Sequence, residues 1–309
     1  MAVVLVFLDG VGLGARDPAI NPLARRTGLL SQFRGGDGVP LPRGGARRGL
    51  DATLGVAGRP QSATGQTALY TGENAPALLG RHLVGFPNAA LRDLLARRSL
   101  FRRLADAGAR VALANGYPAV YLDALGVAHR PLVGPPEPAL PAAARRLKPA
   151  AGLFAVVSAG LPVATFDDVR AGRALTHDVT GASARTRLPG LVPERTPEEA
   201  AAVLASRAAT LDFCLFESFL LDAAGHARDF AAAQEALGSL DRFLRRLLDL
   251  LPAGHSLLVT SDHGNVEDLR TRSHTRADVP LLVFGPLAAR PLPARLTGVA
   301  DLVLGGVLA

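Results

Sequence analysis

The chain has 309 residues, 49% of them hydrophobic, and a formal charge of +7. That length and apolar content bury a sizeable core in one large domain, or one domain with an insertion, and exclude a disordered chain. Lys148 is the only lysine among 34 basic residues; arginines spread along the chain, without an aromatic-interleaved cluster or a recognition-helix motif, point to no nucleic-acid partner.

In chain order, AVVLVFLDG lacks a basic leader and a cleavage site and reads as a buried first strand, Val3 to Leu8. No apolar stretch approaches the roughly 20 residues of a membrane span, so no membrane partner is expected. Residues 33–60, containing FRGGDGVPLPRGGARRG, are rich in Gly, Arg and Pro and read as an exposed loop or arm. A helix starts near Ser62, and Arg92 to Ala107 carries an amphipathic helical period before a strand at Val111 to Ala114. Residues 118–195 hold many Pro and Gly with weak periodicity and read as an insertion or cap, although Phe154 to Val157 is a short apolar strand candidate. Thr196 before Pro-Glu-Glu is an N-cap for a helix to about Ala209. Strands at Phe213 to Phe216, Ser256 to Thr260 and Pro280 to Phe284 follow, with a helix from Phe230 to Leu251 between the first two. Short continuous apolar runs alternating with helices predict an α/β fold, a three-layer α/β/α sandwich around a mostly parallel sheet. The catalytic core is expected from residues 1–117 and 196–309, with 118–195 as the cap. The lone Cys214 permits no disulfide within the chain and suits a reducing cytoplasm; the oligomeric state is left open.

In a parallel α/β sheet, functional groups collect on loops at the carboxyl ends of strands. The first strand ends in Asp9; the strand at 213 leads into LLDAAGH with Asp222 and His226; the strand at 256 ends in Asp262 and His263; His274 follows eleven residues later. Taken singly these are a turn former, a helix cap and surface histidines. Together, three Asp and three His split into an Asp-His-His and an Asp-Asp-His set, plausible shells for two divalent ions: Zn or Mn in the first, Mg as well in the second. His82, His129, His177 and His255 fall outside these strand ends and read as surface or packing residues, with His177 the one able to fold over the site. Ser62 in GRPQSATGQTALYTGENA opens a helix whose N-terminal N–H groups favour an anion; it reads either as a nucleophile or as a simple N-cap.

The segments FLDGVG, PQSATGQTALYTG, LLDAAGH, SDHGN and RSHT resemble, in the same order, the motifs of the alkaline phosphatase superfamily, with the cofactor-independent phosphoglycerate mutase and phosphopentomutase branch most similar around DFCLFESFLLDAAGH and TSDHGNVED. The resemblance implies that Asp222, His226 and His274 bind one metal, that Asp9, Asp262 and His263 bind a second, and that Ser62 bridges to it as nucleophile. It implies a supporting place for Glu267, while Arg59, Asn115, Arg173 and His177 are candidates for the substrate, a small phosphorylated metabolite. The mutase branch carries a large domain after its serine helix, a His four residues after the serine and a Lys near the strand ending here in ALANGYP; here only about twenty residues separate that helix from the next, near Arg92, and the chain has Gln66 and no lysine there. PQSATGQ does not fit the sulfatase pattern, and Thr64 is offset from the phosphodiesterase nucleophile. Phosphomonoester hydrolysis through a phosphoserine is the expected activity, with a small phosphomutase as the alternative and a catalytically silent metal-binding protein as a third reading.

Overall fold

The computed structural model describes residues 1–140 and 147–309; the stretch 141–146 of the expected 118–195 cap lies outside the described residues. Six strands form one sheet in the order β2-β8-β7-β1-β6-β3: β1 (Val3–Leu8), β2 (Ala46–Leu50), β3 (Val111–Leu113), β6 (Phe213–Ser218), β7 (Ser256–Thr260) and β8 (Val279–Phe284). Strand β1 is central, paired in parallel with β6 and β7, and β3 extends the parallel set beyond β6. Strand β8 runs antiparallel to β7, and β2 antiparallel to β8 at the edge.

Alternation along β1 divides the core. Val3, Leu5 and Phe7 face one apolar layer; Val4, Val6 and Leu8 face the other. The first layer is covered by α1 (Ser62–Thr71), α2 (Ala75–Leu79), α3 (Ala89–Arg98), α4 (Leu100–Asp106), α6 (Ala151–Ser158) and α12 (Gly298–Val307). The second is covered by α9 (Pro197–Ala208), α10 (Leu220–Ala227) and α11 (Phe230–Leu250). This is the expected three-layer sandwich. Helix α9 begins in a capping box, Thr196 accepting from the Glu199 N–H while the Glu199 side chain accepts from Thr196. Between α4 and α6, α5 (Ala119–Ala124) follows a short β4 (Gly116–Tyr117), which pairs with β5 (Ala164–Thr165). Around this pair, α7 (Phe166–Arg170) and α8 (Ala182–Arg187) enclose a small separate cluster of Phe166, Val169, Leu191 and Val192.

Three expectations are corrected. Phe154 to Val157 lie in helix α6 rather than in a strand; a short run of apolar residues has no period that separates a buried strand from a buried helix. Arg92 to Ala107 are two helices, because Ser99 is extended (φ −62°, ψ 153°) and its hydroxyl accepts from the Arg102 N–H as the cap of α4. The Gly- and Arg-rich 33–60 stretch is more than an arm: Ala46–Leu50 is an edge strand with Arg47 and Arg48 exposed and Leu50 buried, a charged edge of the kind that discourages pairing with other chains.

Among the described residues no helix is long and apolar enough to cross a membrane.

Candidate metal centre

Three connections at the carboxyl ends of the parallel strands converge over β1. Asp9 follows β1 directly, Asp222 lies in the first turn of α10 and His226 near its end, Asp262 and His263 follow β7, and His274 precedes β8. Asp9 Oδ1 is 3.2 Å from His263 Nε2, and Asp262 Oδ2 is 3.6 Å from the same nitrogen. Asp222 Oδ2 is 3.2 Å from His226 Nε2, and its Oδ1 is 3.6 Å from His274 Nε2. His263 and His274 stack with ring centroids 3.6 Å apart, which joins the two groups into one cluster. Two donor sets close to within 4.8 Å, Asp9-Asp262-His263 and Asp222-His263-His274. His263 therefore lies between the sets rather than in one alone, and His226 stands at the exposed rim.

The protonation pattern is set by the backbone. His226 Nδ1 donates to the Arg272 carbonyl at 2.7 Å and His274 Nδ1 to the Pro60 carbonyl at 3.1 Å. With those protons fixed, both Nε2 atoms are lone-pair donors, yet they face each other at 3.1 Å beside a carboxylate. Neutral imidazoles so arranged have no hydrogen to share. A cation or a shared proton between them resolves the conflict. The same holds deeper in the site: Asp262 is fully buried with neither carboxylate oxygen hydrogen-bonded, and Asp9 Oδ1 is likewise unpartnered. Burial first, then the neighbouring carboxylates, hold Asp9 and Asp262 well above the usual range, and burial followed by His274 pushes His263 well below its ordinary value. Acids that are hard to ionise beside imidazoles that are hard to protonate form a cation-binding donor set of mixed O and N atoms. The residues fit divalent metals.

Ser62 is the first residue of α1, and Gln61 before it provides no side-chain cap. The Ser62 hydroxyl does not turn back to cap the helix; Oγ lies 3.0 Å from His263 Nε2. Thr64, its nearest rival, is buried, donating to the Gln61 carbonyl and accepting from the Leu83 N–H. Gly65 permits this approach of helix to strand end, since a Cβ there would lie 2.9 Å from the Asp262 carbonyl oxygen.

Glu267 ties the ligand loops together. Its Oε2 accepts from the Gly12 N–H at 3.0 Å and the Asn265 N–H at 2.7 Å, and its Oε1 accepts from the Thr275 hydroxyl, next to His274. Asn115 is occupied elsewhere: it donates to the Glu217 carbonyl and accepts from the Glu217 N–H, extending the β3–β6 pairing by one rung. Arg59 is exposed in the loop before α1, and Arg173 pairs with Asp168 away from the cluster. His177 packs against Phe219, the residue before α10. Two residues carry roles that their positions in the sequence did not suggest. Asn265 Nδ2 holds Asp222 Oδ1 at 2.7 Å, and Ser261 Oγ accepts from the Val11 N–H while donating to the His263 carbonyl. The small residues Gly225, packed on Asn265, and Gly10, packed on Asp222 at φ +77°, are the only trace these contacts leave in the sequence.

Residues 193–303 match the Metalloenzyme superfamily. A phosphopentomutase of Methylobacterium radiotolerans is 39% identical over 74 residues, which cover 24% of this chain and 18% of that protein. A 2,3-bisphosphoglycerate-independent phosphoglycerate mutase of Haloquadratum walsbyi is 41% identical over 71 residues, 21% of this chain and 14% of that one. The chain thus spans less than a fifth of the length of these curated relatives. Among solved structures, alkaline phosphatase from the Antarctic bacterium TAB5 aligns with TM-score 0.56 at 12% identity, covering 99% of this chain and 98% of that one. The PH0037 protein of Pyrococcus horikoshii aligns with TM-score 0.57 at 13% identity, covering 99% and 96%. The fold is that of alkaline phosphatase, as the ordered motifs implied.

Proposed function

We propose that this chain, with a Metalloenzyme-superfamily segment at 193–303 on an alkaline-phosphatase-like fold, is a metal-dependent phosphoryl-transfer enzyme, a phosphomonoester hydrolase that works through a phosphoserine on Ser62. The observation that carries the reading is Ser62 Oγ at the uncapped N-terminus of α1, 3.0 Å from a histidine that belongs to both donor sets. Two divalent ions are the stoichiometry proposed, one held by Asp222, His226 and His274, the other by Asp9, Asp262 and His263, with Zn, Mn or Mg compatible with these donors. Such ions would supply neutralisation of the phosphoryl oxygens and acidification of the serine hydroxyl and of water.

The chain's own residues supply position. The free N–H groups at the start of α1 orient phosphoryl oxygens toward the helix end. Ser62 Oγ forms a bond to phosphorus as the ester P–O bond breaks and the alcohol departs. Water then displaces Ser62 from phosphorus, freeing phosphate and restoring the hydroxyl. Residues 1–117 and 196–309 are taken as the catalytic core and 118–195 as the region that selects a small phosphorylated metabolite; the lone Cys214, buried and with its thiol pushed up to about 12, suits a reducing cytoplasm. The phosphopentomutase and phosphoglycerate-mutase relatives favour a second reading, in which the phosphoserine returns its phosphate to another hydroxyl of the same substrate.

Rapid quenching during turnover with labelled ester is expected to leave phosphate on the peptide containing PQSATGQ, at Ser62 and not Thr64. Ser62→Ala removes the label and lowers kcat by several orders of magnitude. A chiral phosphate ester emerges with retained configuration, because displacement occurs twice; inversion would falsify the covalent route. Release of free phosphate marks the hydrolase, and isomerised ester without free phosphate marks the mutase.

A further inference from the structure

On the β3 side of β6 lies a cavity of about 190 Å³ between the β4–β5 cluster and the start of α10. Its position is set by Phe219, which precedes α10 by one residue and the donor Asp222 by three, and which packs edge-on to Phe7 of the central strand. Tyr117, Phe166, Leu188 and Phe219 form its walls. Its polar groups are few, and some are already engaged. Asn115 is spent on the Glu217 backbone, and the Thr176 hydroxyl donates to Asp178. Among the described residues that leaves His177, whose buried Nδ1 has no partner, the hydroxyls of Ser183 and Tyr117, and the exposed Arg187. Burial lowers the His177 pKa, against an opposing pull from Asp178 and with Arg187 adding to the lowering, which favours the neutral imidazole with one donor and one acceptor nitrogen.

We infer that this cavity receives the alcohol portion of the ester, and that the alcohol is a single, largely apolar ring carrying one anionic or acceptor substituent read by Arg187 and His177. The inference rests on the phosphoryl-transfer reading of the metal centre. Size supports it: an apolar cavity of about 150 Å³ holds one benzene ring, so 190 Å³ takes a ring with one substituent. The polar inventory supports it as well. A pentose or hexose brings several hydroxyls, each needing a partner in the bound state, and a mainly apolar lining suits a ring with few of them. An aromatic wall with one charged reader is the usual arrangement for orienting a ring by a single substituent.

Four esters of primary alcohols test this: benzyl phosphate, 4-carboxybenzyl phosphate, ethyl phosphate and ribose 5-phosphate. The expected kcat/KM for benzyl phosphate exceeds that for ribose 5-phosphate by about 10- to 100-fold, the range a shaped apolar pocket achieves. Arg187→Ala lowers kcat/KM for the carboxybenzyl ester about 10-fold or more, the size of one lost charge-assisted hydrogen bond, with ethyl and benzyl phosphate unchanged. Ala184→Trp, on the cavity-facing side of α8, reduces turnover of both ring esters and spares ethyl phosphate. In parallel, saturation-transfer NMR detects 4-(hydroxymethyl)benzoate on the wild-type protein and loses it in both variants. Ribose 5-phosphate turned over as well as benzyl phosphate, or ethyl phosphate lost equally in Ala184→Trp, overturns the assignment. Binding of the benzoate with no ester hydrolysed under any metal sinks the phosphoryl-transfer reading and leaves the ring pocket standing; no binding and no ring preference removes the pocket itself.

Discussion

Glu217 sits at the carboxyl end of β6, fully buried, with Oε1 accepting from the Tyr70 hydroxyl at 2.6 Å and Oε2 unpartnered. Burial pushes its carboxyl from 4.5 up to about 7, against the opposing pull of the Tyr70 hydrogen bond. The folded protein therefore holds a proton between about pH 4.5 and 7 that the unfolded chain has released. The stability tied to it is full below the unfolded value and is lost as pH rises through the folded one. Glu217→Gln keeps an acceptor for Tyr70 and removes the charge, so we expect the variant to gain about 1–3 kcal/mol over wild type at pH 8 and to match it near pH 4. Denaturant titrations at both pH values measure this, and an equal offset at both would refute it. At this scale the six clustered acids and histidines were legible together: five end or closely follow an apolar run, and His274 follows His263 by eleven residues. Asn265 and Ser261 were not. Their work depends on Asp222 and Val11 arriving from other loops, and no spacing within TSDHGNVED encodes that approach.

Helix α1 and strand β7 meet at Gly65, where two effects of a methyl group oppose each other. Alanine in a helix interior is favoured over glycine by roughly 0.5–1 kcal/mol. The added Cβ, however, would stand 2.9 Å from the Asp262 carbonyl and 3.0 Å from its Cβ, and overpacking against backbone costs typically 1–3 kcal/mol. The clash wins. Gly65→Ala is expected to lower the melting temperature and, by moving Ser62 away from His263, to cut kcat about 10-fold or more while KM changes less. A variant with unchanged kcat and a higher melting temperature would show that the helix end has room to yield. Elements were readable where period and caps agreed, as in α9 with its Thr196 capping box and α11 with its long amphipathic stripe. They were misread where a choice depended on tertiary neighbours. AGLFAVVS becomes helix α6 because α1, α3 and α4 offer it a helical layer to join. ARRGL becomes a strand because β8 leaves an open edge beside it. The reversal at β8 has no signal in VPLLVF itself, since antiparallel and parallel buried strands share the same apolar run.

At the scale of the molecule, the donor cluster gathers acids from loops that repel one another without a cation. Asp222 raises the pKa of both Asp9 and Asp262, Asp262 raises that of Asp9, and Asp262 has no hydrogen bond to either oxygen. A metal that binds the folded state alone stabilises it by about 4 kcal/mol at 1,000 times its Kd. Chelation is therefore expected to lower the melting temperature by roughly 5–10 °C, with recovery on returning Zn, Mn or Mg; calorimetry with and without chelator measures the shift, and an unchanged transition would argue against a built metal centre. The central position of β1 also bears on how the chain is made. Val3 pairs with Phe213 on one side and Ser256 on the other, so β1 has no sheet neighbour during synthesis until Phe213 has been made. At synthesis rates of about 5–20 residues per second, that is a wait of roughly 10–50 s. During it, VVLVFL is a naked apolar ribbon with both hydrogen-bonding edges open, the kind of segment that holding chaperones occupy. A newborn chain is thus committed to a long period of shelter before its central strand finds its place.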